Sequence, residues 1–285
     1  MYSITVHIFE VKKMHLLIIT IILFMGTIIG ILLLCFLLII LYARVLMWKR
    51  PIMKLYEQRR AQADFCPYSE IPERLIRYIT LTEDKFFFKH NGYRGKAIKG
   101  AFKINRRAKT IVTGGSTITQ QLAKNLYFHF RKSYFRKAVE LIITINIERK
   151  LDKEKILEFY LNIIYFGNGR YGITDAAQFY FSKPVSELSI NQMFLLSCIP
   201  SAPTAGNPIQ HPDVFIKIRN RWLDNIDPEI IDISNEEIET IASHPVEQLD
   251  PQLRENDDYT RNYSQTIVMT NERFGPFRRK ECIWN

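Results

Sequence analysis

Three groups of residues in the first half of the chain have types and spacings that could do chemistry. The first is the carboxylate pair Glu83-Asp84, followed by Phe87, His90 and Gly92. The second is Gly114-Gly115-Ser116-Thr117-Ile118-Thr119-Gln120-Gln121-Leu122-Ala123-Lys124-Asn125, a glycine turn feeding a polar-striped helix. The third is Arg136-Lys137-Ala138-Val139-Glu140. Carboxylates at both ends, with helix-start amides and cations between them, suit a cleft that moves a proton and steadies an anion, as a sugar or phosphate substrate would require.

The elements around these groups explain why they would be placed so. Leu75, Ile76, Tyr78 and Ile79 follow helical spacing after Pro72, a residue suited to a first turn. That helix should close near Thr82–Asp84 and leave Glu83 at the negative end of its dipole, which disfavours the carboxylate charge and suits a general base. Ser116 reads as the N-cap of the next helix, so Ser116, Gln120 and Lys124 share one face and Ile118 and Leu122 another. The same pattern also describes an ordinary capped amphipathic helix. From Tyr134 to Arg149 the chain is apolar almost all round, which predicts a helix inside the domain with Lys132, Arg136 and Glu140 as a polar stripe. An i, i+4 ion pair between Arg136 and Glu140 is the alternative explanation of that stripe.

Further helices are predicted from Asp152 as N-cap through Ile163, over Thr174–Phe181, from the capping box Ser189-Ile190-Asn191-Gln192 to before Pro200, and over Val214–Ile226. Strand signals are scarce and no repeat is visible, so the fold class is mainly α. The 285 residues carry a formal net charge of +10, which points to an acidic partner. From Leu16 to Tyr42 there are 27 uncharged residues, about 40 Å as a helix against a hydrocarbon core of about 30 Å, so the run can span a membrane with tilt. It is far longer than the core of a cleaved signal and no small-x-small site follows. A membrane protein of this kind argues against nucleic acid as the partner. Cys35, Cys66, Cys198 and Cys282 show no metal or redox spacing and read as structural or free thiols. The organisation is therefore a short tail at 1–15, a transmembrane helix at 16–42, a basic connector at 43–69 lying on lipid headgroups, a domain at 70–227, and an extension at 228–285 with no assignable role. The stretch from Gly92 to Thr113, rich in lysine and arginine, reads as a basic and partly mobile segment.

Taken together and in order, these blocks resemble the peptidoglycan glycosyltransferases of family 51, over about Pro72 to Ile226. Lys155 through Asn162, Tyr171-Gly172, Ala176-Ala177 and Tyr180-Phe181-Ser182-Lys183 continue the likeness. The resemblance implies a lysozyme-like, two-lobed helical domain after one transmembrane helix. It implies lipid II and the growing glycan strand as substrates, Glu83 as general base, and Glu140 as second carboxylate. Ser116, Gln120, Lys124, Asn125, Lys132 and Arg136 would bind substrate, with Arg219 or Arg221 as a further cation, while Asp84, Phe87 and His90 would support the site. Lys132 stands where the family has arginine, which keeps the charge and loses the bidentate fork. A divalent metal, Mg or Mn, at Glu140 is allowed by the resemblance, and no organic cofactor is expected. With no Ser-x-x-Lys or Lys-Thr-Gly in this sequence, it looks like the monofunctional type.

The resemblance also implies a single-pass protein of the bacterial cytoplasmic (inner) membrane with its domain on the outer, periplasmic face, among membrane lipids and other cell-wall synthesis proteins. The charges oppose this: Lys12 and Lys13 precede the span, whereas Arg44, Lys49, Arg50, Lys54, Arg59 and Arg60 follow it. The rival readings are a membrane-anchored glycan hydrolase, which has no diphosphate to justify Lys124 and Arg136, and a non-catalytic cell-wall scaffold.

Overall fold

The computed structural model describes residues 2–95, 115–128, 133–224, 226 and 233–243, with side chains from residue 14 onward. Lys132, Gly114, Cys282 and most of the basic segment before Gly114 lie outside the described residues. The chain opens on α1 (Tyr2–Lys49), one continuous 48-residue helix that takes in both the expected tail and the expected span. It is long and apolar enough to cross a membrane, and its apolar side chains from Leu16 to Leu38 face outward on all sides.

Nine further described helices follow: α2 (Ile52–Arg60), α3 (Glu73–Asp84), α4 (Ile118–Tyr127), α5 (Tyr134–Lys150), α6 (Lys153–Ile163), α7 (Ile173–Phe181), α8 (Ile190–Cys198), α9 (Pro212–Asp224) and α10 (Asn235–Ser243). The one extended pairing among the described residues is an isolated bridge between Tyr165 and Tyr171, so the protein is mainly α. Two of these helices are buried on every side over most of their length and become the centres of packing. In α6 every residue from Ile156 to Ile163 is buried, and α2, α4 and α5 gather on it. In α8 every residue from Asn191 to Cys198 is buried, and α3, α9 and α10 gather on that one; α7 touches both. Two expected caps are in place, with Asp152 Oδ1 accepting from Lys155 N at 2.8 Å and a capping box at Ser189 and Gln192.

Two expectations are corrected. Residues 52–69 are more than a connector, because one face of them packs into the domain. Ile52, Leu55, Tyr56 and Arg59 form the buried face of α2 at spacings of three, one and three residues. Arg59 holds Asp64 at 2.6 Å and donates to the Asn162 carbonyl at 2.9 Å, while Asn162 exchanges two 2.8 Å hydrogen bonds with the Cys66 backbone. Glu158 receives Tyr56 Oη and the Tyr68 amide. A buried arginine so fully engaged reads as surface in sequence because the Asn162 carbonyl that completes its set of partners lies about a hundred residues away. Second, α5 is buried on one face only, at Val139, Glu140, Ile143, Thr144 and Ile147. Tyr134 and Phe135 stay exposed beside the end of α1, with Phe135 5.5 Å from the Tyr42 ring. Cys35, Cys66 and Cys198 are free thiols.

Candidate active site

Glu83 sits in the last turn of α3, as the periodicity predicts, where the α8 set of helices meets α4 of the α6 set. Thr82 beside it donates to the Ser197 carbonyl at 2.9 Å and ties this end of α3 to α8. Gln121 Nε2 donates to Glu83 Oε2 at 2.7 Å, and Tyr160 Oη donates to Gln121 Oε1 at 3.3 Å, which presents the amide nitrogen to the carboxylate. Glu83 Oε1 is shut away from solvent with no hydrogen-bond partner. Burial pushes the Glu83 carboxyl up to about 7, against the opposing pull of Gln121 and Lys124, with Asp84 adding to the rise. Desolvation outweighs the other influences on this group. A carboxylate half-ionised at neutral pH, with one oxygen unclaimed, is fit to take a proton from an incoming hydroxyl.

Asp84, the next residue, is buried. Its Oδ2 accepts from His90 Nε2 at 2.8 Å and from the Ile118 amide at 3.2 Å, so it joins α3 to the start of α4. The Gly92 amide donates to His90 Nδ1 at 3.1 Å, which leaves the ring proton on Nε2, facing Asp84. Gly92 itself has φ +85°, and a Cβ there would stand 2.7 Å from Thr144 Cγ2, so only glycine lets this loop approach α5. Phe87 is buried beneath, with Lys153 Nζ 4.4 Å from its ring centre.

The second carboxylate is held on the same helix start. Glu140 is buried, and one oxygen receives the Lys137 ammonium, which also donates to Ser116 Oγ at 3.0 Å. The other oxygen, Oε2, is buried without a hydrogen-bond partner. Both carboxylates are thus tied to the segment Ser116–Gln121, Glu83 through Gln121 and Glu140 through Lys137 and Ser116.

The structure moves two expectations about this segment. The N-cap is Thr117, not Ser116: its Oγ1 accepts from Gln120 N at 3.1 Å, and Gln120 Oε1 accepts from Thr117 N at 3.1 Å, a complete capping box. Gln120 is therefore buried in the cap, and the half-buried face carries Gln121, Lys124 and Asn125. The i, i+4 pair of Arg136 with Glu140 is replaced by the i, i+3 pair of Lys137 with Glu140; Arg136 is half-buried one position before. Gln121, Lys137 and Tyr160 are the site residues that sequence reasoning passed over. Thr117-x-x-Gln120 matches a capping box and Ser116-x-x-Thr119 does not, a signal that would have turned the helix face towards Gln121. Arg219 is buried near Cys198 at the end of α8, and Arg221 is exposed.

A protein-held divalent metal finds few ligands among the described residues. Such an ion asks for several oxygen ligands, whereas Glu140 already carries an ammonium and no three His, Cys, Asp or Glu side chains converge among the described residues.

Known proteins resemble this chain in sequence. A family model described as transglycosylase matches residues 49–227, which includes α2 and ends at α9. Penicillin-binding protein 1A of Aquifex aeolicus is 48% identical over 151 residues, covering 53% of this chain and 21% of that protein. Penicillin-binding proteins 4 and 1F of Bacillus subtilis are 36% and 42% identical over 208 and 162 residues, covering 73% and 57% of this chain and 32% and 22% of their own lengths. The chain thus spans between a fifth and a third of the relatives it matches. The crystal structure of penicillin-binding protein 1A from Haemophilus influenzae aligns with 74% of this chain and 21% of its own at 22% identity and a TM-score of 0.40. The family match takes in every carboxylate, amide and cation described above, and on that match the chain belongs to the transglycosylase family, glycosyltransferase family 51.

Proposed function

We propose that this protein is a peptidoglycan glycosyltransferase that polymerises lipid II into glycan strands with release of undecaprenyl pyrophosphate. The observation that carries the reading is Glu83, raised to about 7 by burial, with one oxygen held by Gln121 and the other unclaimed. In the reaction, the acceptor sugar 4-hydroxyl loses its proton to Glu83 as its oxygen attacks the donor anomeric carbon. The bond from that carbon to the diphosphate oxygen breaks, and the configuration inverts from an α-linked donor to a β-linked glycan. The diphosphate leaves as an anion and needs positive charge more than a proton. Lys124 lies close enough to Glu83 to pull on its charge, and Arg136 and Lys137 stand on the facing helix α5. Glu140 sets the position of Lys137, and Ser116 presents that ammonium at the helix start.

Incubation with lipid II, and separately with finished glycan, tests the proposal. Chain growth from lipid II that Glu83→Gln abolishes is the expected result. Shortening of finished glycan would replace the reading with a hydrolase, and activity unchanged by Glu83→Gln would remove Glu83 from the chemistry.

This reaction places the domain outside the cytoplasmic membrane and the N-terminus inside. The opposing charge count weakens once the fold is known, because Arg59 is consumed by Asp64 and Asn162 and Arg50 is half-buried. Arg44, Lys49, Lys54 and Arg60 remain exposed near the end of α1 and suit the anionic headgroups of the outer leaflet. A cysteine replacing exposed Lys150 should react in whole cells with a membrane-impermeant maleimide. Labelling only after lysis would reverse the orientation.

A further inference from the structure

The helix α10 lies beyond the residues matched by the family, yet it is keyed into the helix that carries Glu83. Ile233 and Ile241 are buried on either side of Glu237, whose side chain is also buried. Glu237 Oε2 pairs with Arg74 Nη1 at 2.9 Å, and Glu237 Oε1 accepts the Tyr78 hydroxyl. Arg74 and Tyr78 are four residues apart on α3, so one carboxylate grips one face of that helix at two successive turns. The amide of Glu237 is capped by Ser234 Oγ at 3.1 Å, and the carboxylate lies in the first turn of α10, where the helix dipole favours its charge. Tyr78 is wholly buried, with its ring edge-on to Phe194 of α8 at 5.2 Å.

Glu83 follows Tyr78 by five residues, about 7.5 Å along α3. Rotation or sliding of α3 would be resisted at Arg74 and Tyr78 by α10 and at Thr82 by α8. The distance from Glu83 to Gln121 depends on that placement, and a shift of about 1 Å in a reacting group can cost a large part of the rate. We propose that α10 is a brace of the active site, in which Glu237 is a positioning residue that sets Glu83 by fixing α3 through Arg74 and Tyr78. This rests on the reading of Glu83 as the base, and its test separates the two.

The experiment compares Glu237→Ala, Glu237→Gln and Tyr78→Phe with the wild type, as the full chain in detergent micelles. Hydrogen exchange reads the brace without substrate. In Glu237→Ala the amides of residues 79–84 should exchange at least tenfold faster while those of 156–163 in α6 keep the wild-type rate. Unchanged exchange in 79–84, or an equal rise in both helices, overturns the proposal. In lipid II polymerisation, Glu237→Ala should lower kcat about tenfold with KM little changed. The acid limb of its rate profile should move to lower pH as Glu83 gains water. Glu237→Gln, which still accepts from Tyr78, should recover most of the rate. A limb that stays in place means a stabilising role alone and overturns the proposal. Should Glu237→Ala fail to fold, Tyr78→Phe keeps the ring against Phe194 and decides by the same readouts. A wild type that does not polymerise lipid II refutes the proposed function, and the exchange comparison still decides the brace.

Discussion

Replacing Gln121 by Met tests how the Glu83 carboxylate is tuned. Met has nearly the same volume and flexibility as Gln, so the site stays filled, but it cannot donate to Glu83 Oε2 as Gln121 Nε2 does at 2.7 Å. That hydrogen bond favours the charged form and opposes the burial that has already raised the group to about 7. A hydrogen bond to a charged group contributes about 1.5–3 kcal/mol, and one pH unit corresponds to about 1.4 kcal/mol. Its loss should therefore carry the acid limb of the rate profile from near 7 to roughly 8–9.

At pH 7 the ionised fraction of Glu83 would drop from about a half to between roughly a tenth and a hundredth, and kcat/KM would fall roughly 5- to 50-fold. At high pH the rate should return towards the wild-type plateau. The assay is the initial rate of lipid II consumption across pH 6–10, with kcat and KM separated at each pH. A limb that stays at the wild-type position, or moves down, refutes the reasoning. So does a loss that is equal at every pH, which would make Gln121 a substrate contact and not a tuner of the base. Tyr160→Phe removes the hydroxyl that orients the Gln121 amide and should move the limb the same way by less.

Other perturbations follow from the same contacts. Glu83→Gln should abolish chain growth while stabilising the fold at alkaline pH. The folded carboxyl is raised from 4.5 to about 7, so its stabilising contribution is full below 4.5 and is lost as pH rises through 7. Thermal unfolding should show the variant gaining on the wild type between pH 4 and 8.5, by up to about 3 kcal/mol, and a constant difference would contradict this. Lys137→Met leaves the buried Glu140 carboxylate without its ammonium and should cost about 1–3 kcal/mol, less than a fully buried pair because the lysine is 43% exposed. Adding Glu140→Gln should restore most of that stability in denaturant titrations, and additive losses would show that the pair is not coupled. Gly92→Ala meets both a positive φ and a Cβ 2.7 Å from Thr144, and should destabilise by about 2 kcal/mol or more. Wild-type unfolding temperature in that variant would mean the loop can shift away from α5.

The helices themselves were legible because their signals are local. Pro72, Asp152 and Ser189 mark starts that the structure keeps, and the spacing of Leu75, Ile76, Tyr78 and Ile79 places Glu83 at a helix end without any tertiary information. What was not legible depends on contacts far apart in sequence. Arg59 reads as a surface charge until Asn162 is brought to it. Glu140 could meet a cation three or four residues away, and helical geometry permits both. The choice falls to Lys137 because Ser116 from another element stands within 3.0 Å of its ammonium.

The one error that a closer reading of local signals would have removed is the start of α4. Moving the N-cap by one residue turns the helix by about 100°, which exchanges the face of Ser116, Gln120 and Lys124 for one of Gln121, Lys124 and Asn125. Lys124 appears on both, which is why its nearness to Glu83 survived the error. The consequence is chemical as well as geometric. With Gln120 spent in the cap, the amide that reaches the base is Gln121, and the same cap sets the start of α4 between Asp84 and the Lys137–Glu140 pair. One helix therefore fixes the base through its side and the second carboxylate through its start. A substitution that weakens the cap, such as Thr117→Val, should disturb both ends of the site together: the acid limb set by Glu83 and the stability contributed by Lys137 and Glu140. A variant in which one changes and the other does not would show that the two carboxylates are positioned independently.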